Sequence, residues 1–577
     1  MKLKLSLITI LACLLPMAAA AQFTLDSRRA VHDSLTGNWL CCVPENTFGT
    51  DFTATFNISE PWTDITIAGD TVMPGQSYTF VDVAGDKAYP LVAHIGDSVT
   101  IAGNIYFTFY PIFEFTGTFN DEYQITDIVA NMPQNQGPTR MFSKLKHRGG
   151  STNGPNRLKR NYHIKFLNPD TSKMERKFFG LRNDNSWILD AGQIDMLRIR
   201  NRVTTELWLD MCSKPYYADR EPKALLGVRG DFIELFLNGS YNGIYALTEA
   251  MDRKQMRLVK YDEPDSVNAG TFRGMLWKAK EIDRITRMNG HYGYNNNKDT
   301  WGGFEVKYPD PDDVMPTKFI TLSNAVKFVA TSSNENFCAN VGNYFDLPVL
   351  MDYWIFINAI MGVDSGVKNI YWGVYDETVD KKLTIAAWDL DCTFGQNWIN
   401  TTLHPSTTAP TRLLGTFNNL FIRLHELNPD SFAVKAVERY QLLRQTLLNE
   451  DSLKNRFRNR LEPLRRAGAL ARETARWSRS TDLSKQPLDF DSELAFIEDW
   501  IDQRMPYLDN SRFKPYIMGD SNRDGKVDVT DLNIIINEIL QDISPMWYDD
   551  INQDGTIDVA DVNGIINIIL GKDSNKK

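Results

Sequence analysis

A repeated segment near the C-terminus constrains the fold of this chain more than any other feature. Residues 520–540 and 550–570 match one another at a spacing of 30, and an isoleucine-rich helical pattern ends each copy. A short motif in two such copies predicts two similar loop-helix units. Residues 519–577 hold 12 Asp and Glu against 5 Lys and Arg, so most of the net charge of -10 lies there. Bound cations would explain that concentration.

Each acidic segment has the spacing of a twelve-residue calcium loop. With Asp520 and Asp550 as position 1, glycine occupies position 6 of both copies, where a sharp turn is needed. Position 7 contributes a backbone carbonyl, so Lys526 and Thr556 are acceptable there, and position 12 is Asp instead of the Glu of an EF-hand. The alternative is a pair of acidic Asx turns, each followed by a helix. The predicted ligands of two Ca²⁺ sites are Asp520, Asn522, Asp524, Lys526, Asp528 and Asp531, and then Asp550, Asn552, Asp554, Thr556, Asp558 and Asp561.

The two loops and their helices, over 517–572, resemble a type I dockerin. The resemblance implies a small α-helical, EF-hand-like module that binds calcium. It also implies a cohesin-type scaffold protein as partner, as in a polysaccharide-degrading complex. It leaves the chemistry of the remaining chain open. Dockerins often carry glycoside hydrolases, whose paired carboxylates cannot be recognised from sequence alone.

The N-terminus has the pattern of a signal peptide. Two lysines precede an apolar run from Leu5 to Leu15, and Ala19 to Ala21 supply the small residues of a cleavage site. The run is short for a membrane span, and no later segment has about 20 unbroken apolar residues. We therefore expect residues 1–21 to be removed and the protein to be secreted, either extracellular or in a cell-surface complex. Lipidation at Cys13 is the alternative.

The rest of the chain predicts two further domains. Residues 22–135 read as a β-rich N-terminal domain, because strand-like segments are bounded by Gly, Pro and Asp without a helical period. Residues 136–512 mix strands and helices in an α+β pattern, with helices dominant after about 315. Within them, Asn238-Gly239 between apolar runs predicts a β-hairpin. The negative net charge argues against nonspecific nucleic-acid binding.

Two clusters in the central domain have the spacing of a phosphoryl-transfer site. Asn369 follows Asp364 by five residues, and Asp389 follows a strand-like stretch at 383–388. Protein kinases place a catalytic Asp, an Asn and a metal-binding Asp in this order. Asp and Asn are also common in turns, so Asx turns around a core strand remain the alternative from spacing alone.

Eight short motifs of the central region occur in a fixed order. They are Arg148 to Thr152, Tyr162 to Phe166, Phe179 to Arg182, Trp187 to Leu189, Leu235 to Glu249, Phe304 to Asp310, Lys368 to Tyr371 and Trp388 to Asp391. The ordered set is similar to that of the CotH kinase family, relatives of a spore-coat protein, over about 115–512. The resemblance implies an atypical protein-kinase-like fold that transfers the γ-phosphoryl group of ATP to protein hydroxyls.

The same resemblance implies roles for the acidic clusters. It makes Asp364 the catalytic base and Asp389 the principal Mg²⁺ ligand. Asn369 and Asp391 become further candidates for binding the metal and its nucleotide.

The resemblance also implies cofactor-binding residues nearer the N-terminus. Tyr162 to Phe166 alternates between an apolar and a polar face, and Lys165 lies on the polar face. Lys165 is therefore the candidate for binding the phosphates of ATP, with Lys159 as its competitor. Glu249, at the end of a predicted strand, is expected either to pair with a lysine or to border the nucleotide.

Two functions follow from these patterns. One is a secreted atypical protein kinase that acts on Ser or Thr of an exported protein substrate and is tethered to a scaffold by a calcium-dependent dockerin. The other is a non-catalytic, pseudokinase-like assembly protein docked on the same kind of scaffold. The presence of Asp364, Asn369 and Asp389 favours the first. The scarcity of ATP outside cells favours the second.

Overall fold

Two units make up the chain in this computed structural model. Unit 1 contains the residues up to Ile199 together with Gly230–Glu249 and Arg458–Phe490, and unit 2 contains the rest. The structure describes residues 23–135, 137–150, 153–154, 157–261, 273–293, 298–309, 319–363, 365–397, 402–406, 418–478, 487–541 and 546–572. The predicted signal peptide, 1–21, lies outside the described residues.

Unit 1 begins with a nine-stranded sheet, which confirms a β-rich N-terminal region. Its strand order is β6-β5-β8-β9-β3-β2-β1-β4-β7, and β3 pairs with β9 in parallel. Alternate side chains of these strands enter a core rich in aromatic rings, including Phe23, Trp39, Phe56 and Phe107. The strands are β1 Phe23–Leu25, β2 Arg28–His32, β3 Trp39–Cys42, β4 Phe52–Ile58, β5 Asp64–Ile67, β6 Asp70–Val72, β7 Ser77–Phe80, β8 Tyr89–Ile95 and β9 Ser98–Thr108.

A closed barrel follows in the same unit. Its order is β10-β11-β12-β13-β14-β16-β15, and a parallel pairing of β10 with β15 closes it. The predicted hairpin is confirmed between β15 and β16, where Asn238 and Gly239 both have positive φ. The strands are β10 Ile112–Gly117, β11 Gln124–Asn131, β12 Thr139–Arg148, β13 Asn161–Leu167, β14 Ser186–Asp190, β15 Gly230–Leu237 and β16 Ser240–Glu249.

Unit 2 contains a five-stranded sheet and most of the helices. The sheet order is β18-β19-β17-β20-β21, and its strands are β17 Met275–Ala279, β18 Thr300–Trp301, β19 Phe304–Tyr308, β20 Ile370–Val374 and β21 Thr384–Ala387. The predicted strand at 383–388 corresponds to β21. No helix of the described residues is both long and apolar enough to span a bilayer.

The helices confirm that the central part is largely helical after the barrel. Pro348 lies in the first turn of its helix, where the missing N–H needs no partner. The helices are α1 Arg200–Met211, α2 Arg253–Met256, α3 Ile320–Thr331, α4 Asn334–Tyr344, α5 Leu347–Ala359, α6 Asn419–Glu426, α7 Phe432–Arg444, α8 Glu450–Arg466, α9 Ala469–Trp477, α10 Phe490–Asp509, α11 Val529–Gln541 and α12 Val559–Ile569.

Within unit 1, two glycines let the N-terminal sheet region and α9 approach backbone to backbone. A Cβ atom on Gly85 would lie 2.1 Å from the carbonyl carbon of Ala467, and one on Gly468 would lie 2.1 Å from the carbonyl oxygen of Gly85. One turn later, Arg472 donates to the Gly85 carbonyl at 3.3 Å and forms two bonds of 2.7 Å to Glu234 of β15. Any side chain at either glycine would therefore separate these elements.

Candidate functional sites

The pairing of β20 with β21 brings two predicted magnesium ligands to one end of a hairpin. The strands are antiparallel, and Ile370 lies opposite Ala387. Asn369 directly precedes Ile370, and Asp389 follows Ala387 by two residues. Two residues that are 20 positions apart in the sequence therefore lie at the same end of this hairpin.

Both residues have an unusual backbone conformation. Asn369 has φ of 58° and Asp389 has φ of 62°, in the left-handed region that Asn and Asp adopt more readily than other non-glycine residues. Asn369 is buried, and its N–H donates to the carbonyl of Ala279 on β17 at 2.9 Å. Asp389 is exposed, and the next N–H, that of Leu390, donates to the Asn201 side chain at 3.1 Å. Such conformations concentrate at functional sites.

Asp364, the predicted base, lies outside the described residues. The described residue before it, Val363, contacts the segment that follows the second acidic motif. The N–H of Val363 donates to the carbonyl of Cys392 at 3.2 Å, directly after Asp391. The carbonyl of Ser365 accepts a bond from the Tyr353 hydroxyl at 2.7 Å. The role of Asp364 as base remains a prediction.

The donor set at the hairpin end fits magnesium in a nucleotide site. Asn369, Asp389 and Asp391 supply hard oxygen atoms from two adjoining segments. Among the described residues, no three His, Cys, Asp or Glu side chains form a metal-binding cluster by themselves. In Mg²⁺ sites one or two carboxylates act together with substrate phosphates and water.

Lys278 lies beside this hairpin end and was missed by sequence reasoning. It pairs in register with Tyr371, and its ammonium lies 5.8 Å from the ring centroids of both Tyr371 and Trp388. The two rings pack edge to face at 5.8 Å. The available signal was a lysine within the otherwise buried strand β17. A cation at this position suits the binding of phosphate.

In unit 1, the two candidate lysines occupy opposite environments. Lys165 is half-buried on the outward face of β13, as the alternation predicted, whereas Lys159 is 1% exposed. The Lys159 ammonium donates to Glu473 of α9 and to the carbonyl of Ile244, both at 2.7 Å. Lys159 is therefore engaged in the interior, and Lys165 remains the better candidate for a ligand.

Glu473 is the centre of a buried charge cluster. It accepts bonds from Lys159 at 2.7 Å, from Arg198 at 2.8 Å and from the Ile244 N–H at 2.9 Å. Burial alone would raise the pKa of Glu473, but the two cations lower it below its ordinary value. Burial lowers the pKa of Lys159 to about 8, with Glu473 opposing that shift. Glu473 and Lys159 are therefore both charged at neutral pH.

Glu249 is fully buried at the end of β16. Its carboxylate accepts the N–H of Arg182 at 3.0 Å, and Glu249 lies opposite Trp187 on β14. The contact holds the end of the Phe179–Arg182 motif against the barrel. A further contact with a lysine or with a nucleotide stays a prediction.

The two acidic loops of the C-terminal repeat fold in the same way. Asp520 accepts the N–H groups of Asp524 at 3.0 Å and Gly525 at 2.8 Å. In the second copy, Asp550 accepts those of the equivalent residues at 3.2 Å and 2.8 Å. The glycines at position 6 have φ of 100° and 86°, which satisfies the predicted sharp turn.

The carboxylates at position 12 close both loops. Asp531 is fully buried and accepts the N–H groups of Asn522 at 3.1 Å and Asp528 at 2.9 Å. Asp561 is equally buried and binds the equivalent N–H groups. Each carboxylate oxygen that accepts one N–H group has a second lone pair, which could bind a metal ion. Calcium takes about six to eight oxygen ligands, so it would also use amide and backbone carbonyl oxygens of the loops.

Direct contacts join the two loops. The N–H of Gly519 donates to the carbonyl of Tyr548 at 2.8 Å, and the Ser521 hydroxyl donates to Asp549 at 2.6 Å. Burial raises the pKa of Asp549, and the charges of Asp531 and Asp520 add to that rise. Sequence reasoning missed Asp549 because it precedes position 1 of the second loop.

The segment that leads into the repeat binds a helix of the same unit. Tyr516 shares a hydrogen bond of 2.8 Å with Nε2 of His425 on α6, and its ring packs 4.7 Å from that of Trp547. The pKa of His425 is lowered to about 3, mainly by burial, and the nearby charges of Arg512 and Arg523 contribute to that fall. His425 is therefore neutral at ordinary pH.

Comparison with known families agrees with both resemblances. A family model described as CotH kinase protein matches residues 145–508, which is more than half of the chain. A second model, described as Dockerin type I domain, matches residues 518–570. No curated protein matches the chain.

Proposed function

The chain belongs to the CotH kinase protein family and carries a dockerin type I domain, and on that premise we propose that it is a secreted atypical protein kinase. It transfers the γ-phosphoryl group of ATP to Ser or Thr of exported proteins. The observation that carries the proposal is the placement of Asn369 and Asp389 at one end of the β20–β21 hairpin. In protein kinases a catalytic-loop Asn and a metal-binding Asp likewise bind the metal ions of the nucleotide.

Each residue has a definite part in this reaction. The acceptor hydroxyl oxygen bonds to the γ-phosphorus, the bond to the β–γ bridging oxygen breaks, and ADP leaves. Asp364 takes the hydroxyl proton. Asp389 and Asn369 would hold the metal, together with Asp391, which follows Asp389 by two residues. Bound Mg²⁺ supplies charge neutralisation on the phosphates.

The test is a titration with ATP and magnesium beside a radiolabel-transfer assay on the protein that lacks residues 1–21. Asp389→Ala should weaken nucleotide binding itself, because it removes a metal ligand. Asp364→Ala should keep binding and lose transfer, because a base acts on the acceptor. Asp380→Asn is the matched control, since Asp380 lies in the connection between β20 and β21, at the opposite end of the hairpin. A mixture of exported proteins serves as acceptor.

Failure of the wild type to bind ATP with magnesium and to label any acceptor would overturn the kinase proposal. The non-catalytic assembly protein would then be the better function. Catalysis is supported if Asp389→Ala weakens nucleotide binding while Asp364→Ala binds nucleotide but loses phosphoryl transfer. Equal loss of binding in both would contradict the separate roles of Asp364 and Asp389.

The dockerin domain fixes this activity on a scaffold. Dockerin type I domains typically bind calcium, and two loops of equal hydrogen bonding support two Ca²⁺ sites here. We propose a cohesin-type scaffold protein, in an extracellular or cell-surface complex, as partner. The chain without 517–577 should fail to attach to such a scaffold. Attachment of the truncated chain would contradict the tethering role.

A further inference from the structure

Unit 1 contains a cavity of about 510 Å³ that is lined by its N-terminal sheet, by the hairpin of β15 and β16, and by α9. On the sheet, Leu40 of β3 lies beside Tyr106 of β9 in parallel register. On the hairpin, the rings of Phe236 and Tyr241 pack edge to face at 5.4 Å. Leu40, Phe236 and Tyr241 are buried in one hydrophobic cluster, and Tyr106 packs against it half-buried. Small-molecule sites are cavities of ~300–1,000 Å³ that are mostly apolar with a few polar groups.

Three side chains that line this cavity have unused hydrogen-bonding groups. The Nε of Arg476 donates to the carbonyl of Tyr241 at 3.0 Å, and the guanidinium lies 4.1 Å from the ring centroid of Trp477. Its two terminal nitrogens form no hydrogen bond with any described residue. Within the same part of the chain, the hydroxyl of Tyr106 and the carboxylate of Asp86 form none either. The contacts of Arg476 therefore fix a cation whose terminal donors are available to a ligand.

The lining of the cavity carries no net charge. Its charged side chains are two acidic and two basic ones, Asp33 and Asp86 against Arg472 and Arg476. Arg472 is already paired with the buried Glu234 through two bonds of 2.7 Å. A polyanion would find no excess of positive charge here, and a buried charge without a partner is costly. The balance favours a neutral ligand that can bind an anion and a cation at once.

We propose that this cavity is a binding site for a neutral sugar. A sugar ring presents an apolar C–H face and an edge of hydroxyl groups. The face would pack against the ring of Tyr106, since aromatic side chains bury a large apolar area. The hydroxyl groups would donate to Asp86 and accept from Arg476, in charge-assisted hydrogen bonds. The proposal concerns unit 1 alone and does not depend on the proposed function.

The experiment is a calorimetric titration of the protein that lacks residues 1–21. The neutral probes are hexasaccharides of glucose, mannose, galactose and xylose, and the charged probe is a hexasaccharide of galacturonic acid. At least one neutral probe should bind. The charged probe should bind about tenfold more weakly than that neutral probe, because Asp33 and Asp86 repel added negative charge. Asp86→Ala should weaken binding of the neutral probe about tenfold, because it removes a charge-assisted hydrogen bond.

A second variant blocks the cavity directly. Ala471 and Ala475 are exposed, lie one turn apart on α9 and line the cavity. Ala475→Trp should therefore fill the cavity and abolish sugar binding, while the melting temperature stays close to that of wild type, as for most surface substitutions. Val99→Trp is the matched control, because Val99 is 65% exposed on β9 of the same unit and does not line the cavity. It should bind the sugar as wild type does.

The outcomes that would overturn the proposal are distinct. They are binding of no neutral probe, equal affinity of wild type and Ala475→Trp, and tighter binding of the galacturonic acid probe. A disaccharide and a polysaccharide of the sugar that binds then separate two sources. Full affinity for the disaccharide would identify a short free sugar as the ligand, and affinity that requires the longer chain would identify a polysaccharide. None of these results bears on the kinase proposal, because the variants leave Asp364, Asn369 and Asp389 unchanged.

Discussion

In the first acidic loop every predicted calcium ligand lies between Asp520 and Asp531, whereas the candidate magnesium ligands come from two segments that the pairing of β20 with β21 brings together. The backbone N–H groups that donate to the carboxylates of Asp520 and Asp531 also belong to this loop. Asn369 and Asp389 instead depend on the pairing of β20 with β21 and on contacts with other segments, such as the bond from Asn369 to Ala279. A local site keeps its geometry when distant parts change, and a long-range site does not.

The largest loss of stability should come from removing the buried ion pairs of Glu473, which lie outside the two acidic loops. Glu473→Ala leaves Lys159 and Arg198 buried without their carboxylate, so we expect the free energy of unfolding to fall by about 3–5 kcal/mol. Calcium affinity should not change. Urea unfolding and calcium titration measure the two effects. Glu462→Ala is the control, because Glu462 is exposed. A loss under about 1 kcal/mol, typical of a surface pair, would contradict this prediction.

The next effect tests the local site. Asp520→Ala should abolish calcium binding at the first loop. Since a ligand at a hundredfold excess over its Kd stabilises by about 2.7 kcal/mol, that contribution should disappear from the calcium-dependent stability. Magnesium-dependent ATP binding should not change. Thr556→Ala is the control at position 7, where only the backbone carbonyl is used. Equal loss in both variants would contradict the ligand assignment. Calorimetric titration distinguishes them.

Acid should lower the free energy of unfolding, because His425 is buried as a neutral ring. The folded pKa of His425 is about 3 and its ordinary value is 6.5, so the folded state favours the neutral ring. This contribution is complete above pH 6.5 and is lost as the pH falls toward 3, by about 2 kcal/mol at pH 5. His425→Gln removes the titration. The difference in unfolding free energy between wild type and variant should narrow from pH 7 to pH 5. A constant difference would contradict the burial of a neutral His425.

The smallest expected effect is on stability at Asn369, where two substitutions separate the role of the backbone conformation from that of the side chain. Asn369 has positive φ, so Asn369→Gly should be nearly neutral for stability, while Asn369→Ala should cost about 1 kcal/mol. Both variants lose the amide oxygen and should weaken magnesium-dependent nucleotide binding to the same extent. Chemical denaturation and nucleotide titration measure the two effects. Equal stability of the two variants would show that the left-handed conformation is not maintained in solution.

The local features of this molecule could be predicted almost completely from the sequence. The sharp turns of the two acidic loops are one case, since the spacing alone placed a glycine at position 6 of each loop. The hairpin turn at Asn238-Gly239 is another, because these residues favour positive φ at both central positions. In both cases residues that are close in the sequence determine the backbone conformation.

The environment of Lys159 could not be predicted in this way. The alternation of Tyr162 to Phe166 predicted the outward position of Lys165, but no local pattern indicates that Lys159 is buried. Lys159 is buried because Glu473 on α9, 314 residues later, lies beside it. Lys278 was missed for the same reason, because the strand pairing that places it beside Tyr371 links distant segments.

The glycine contact between the N-terminal sheet region and α9 has a consequence for the order of folding. Arg472 and Gly85, which meet there, are 387 residues apart. A chain that emerges with its N-terminus first can form the sheet early, but the surface that receives Gly85 exists only after Gly468 has emerged. Contacts of such long range form slowly, because their loop must close before they contribute. The backbone around Gly85 therefore stays exposed to solvent through most of synthesis. Its packing against Gly468 at the start of α9 is a late step in folding.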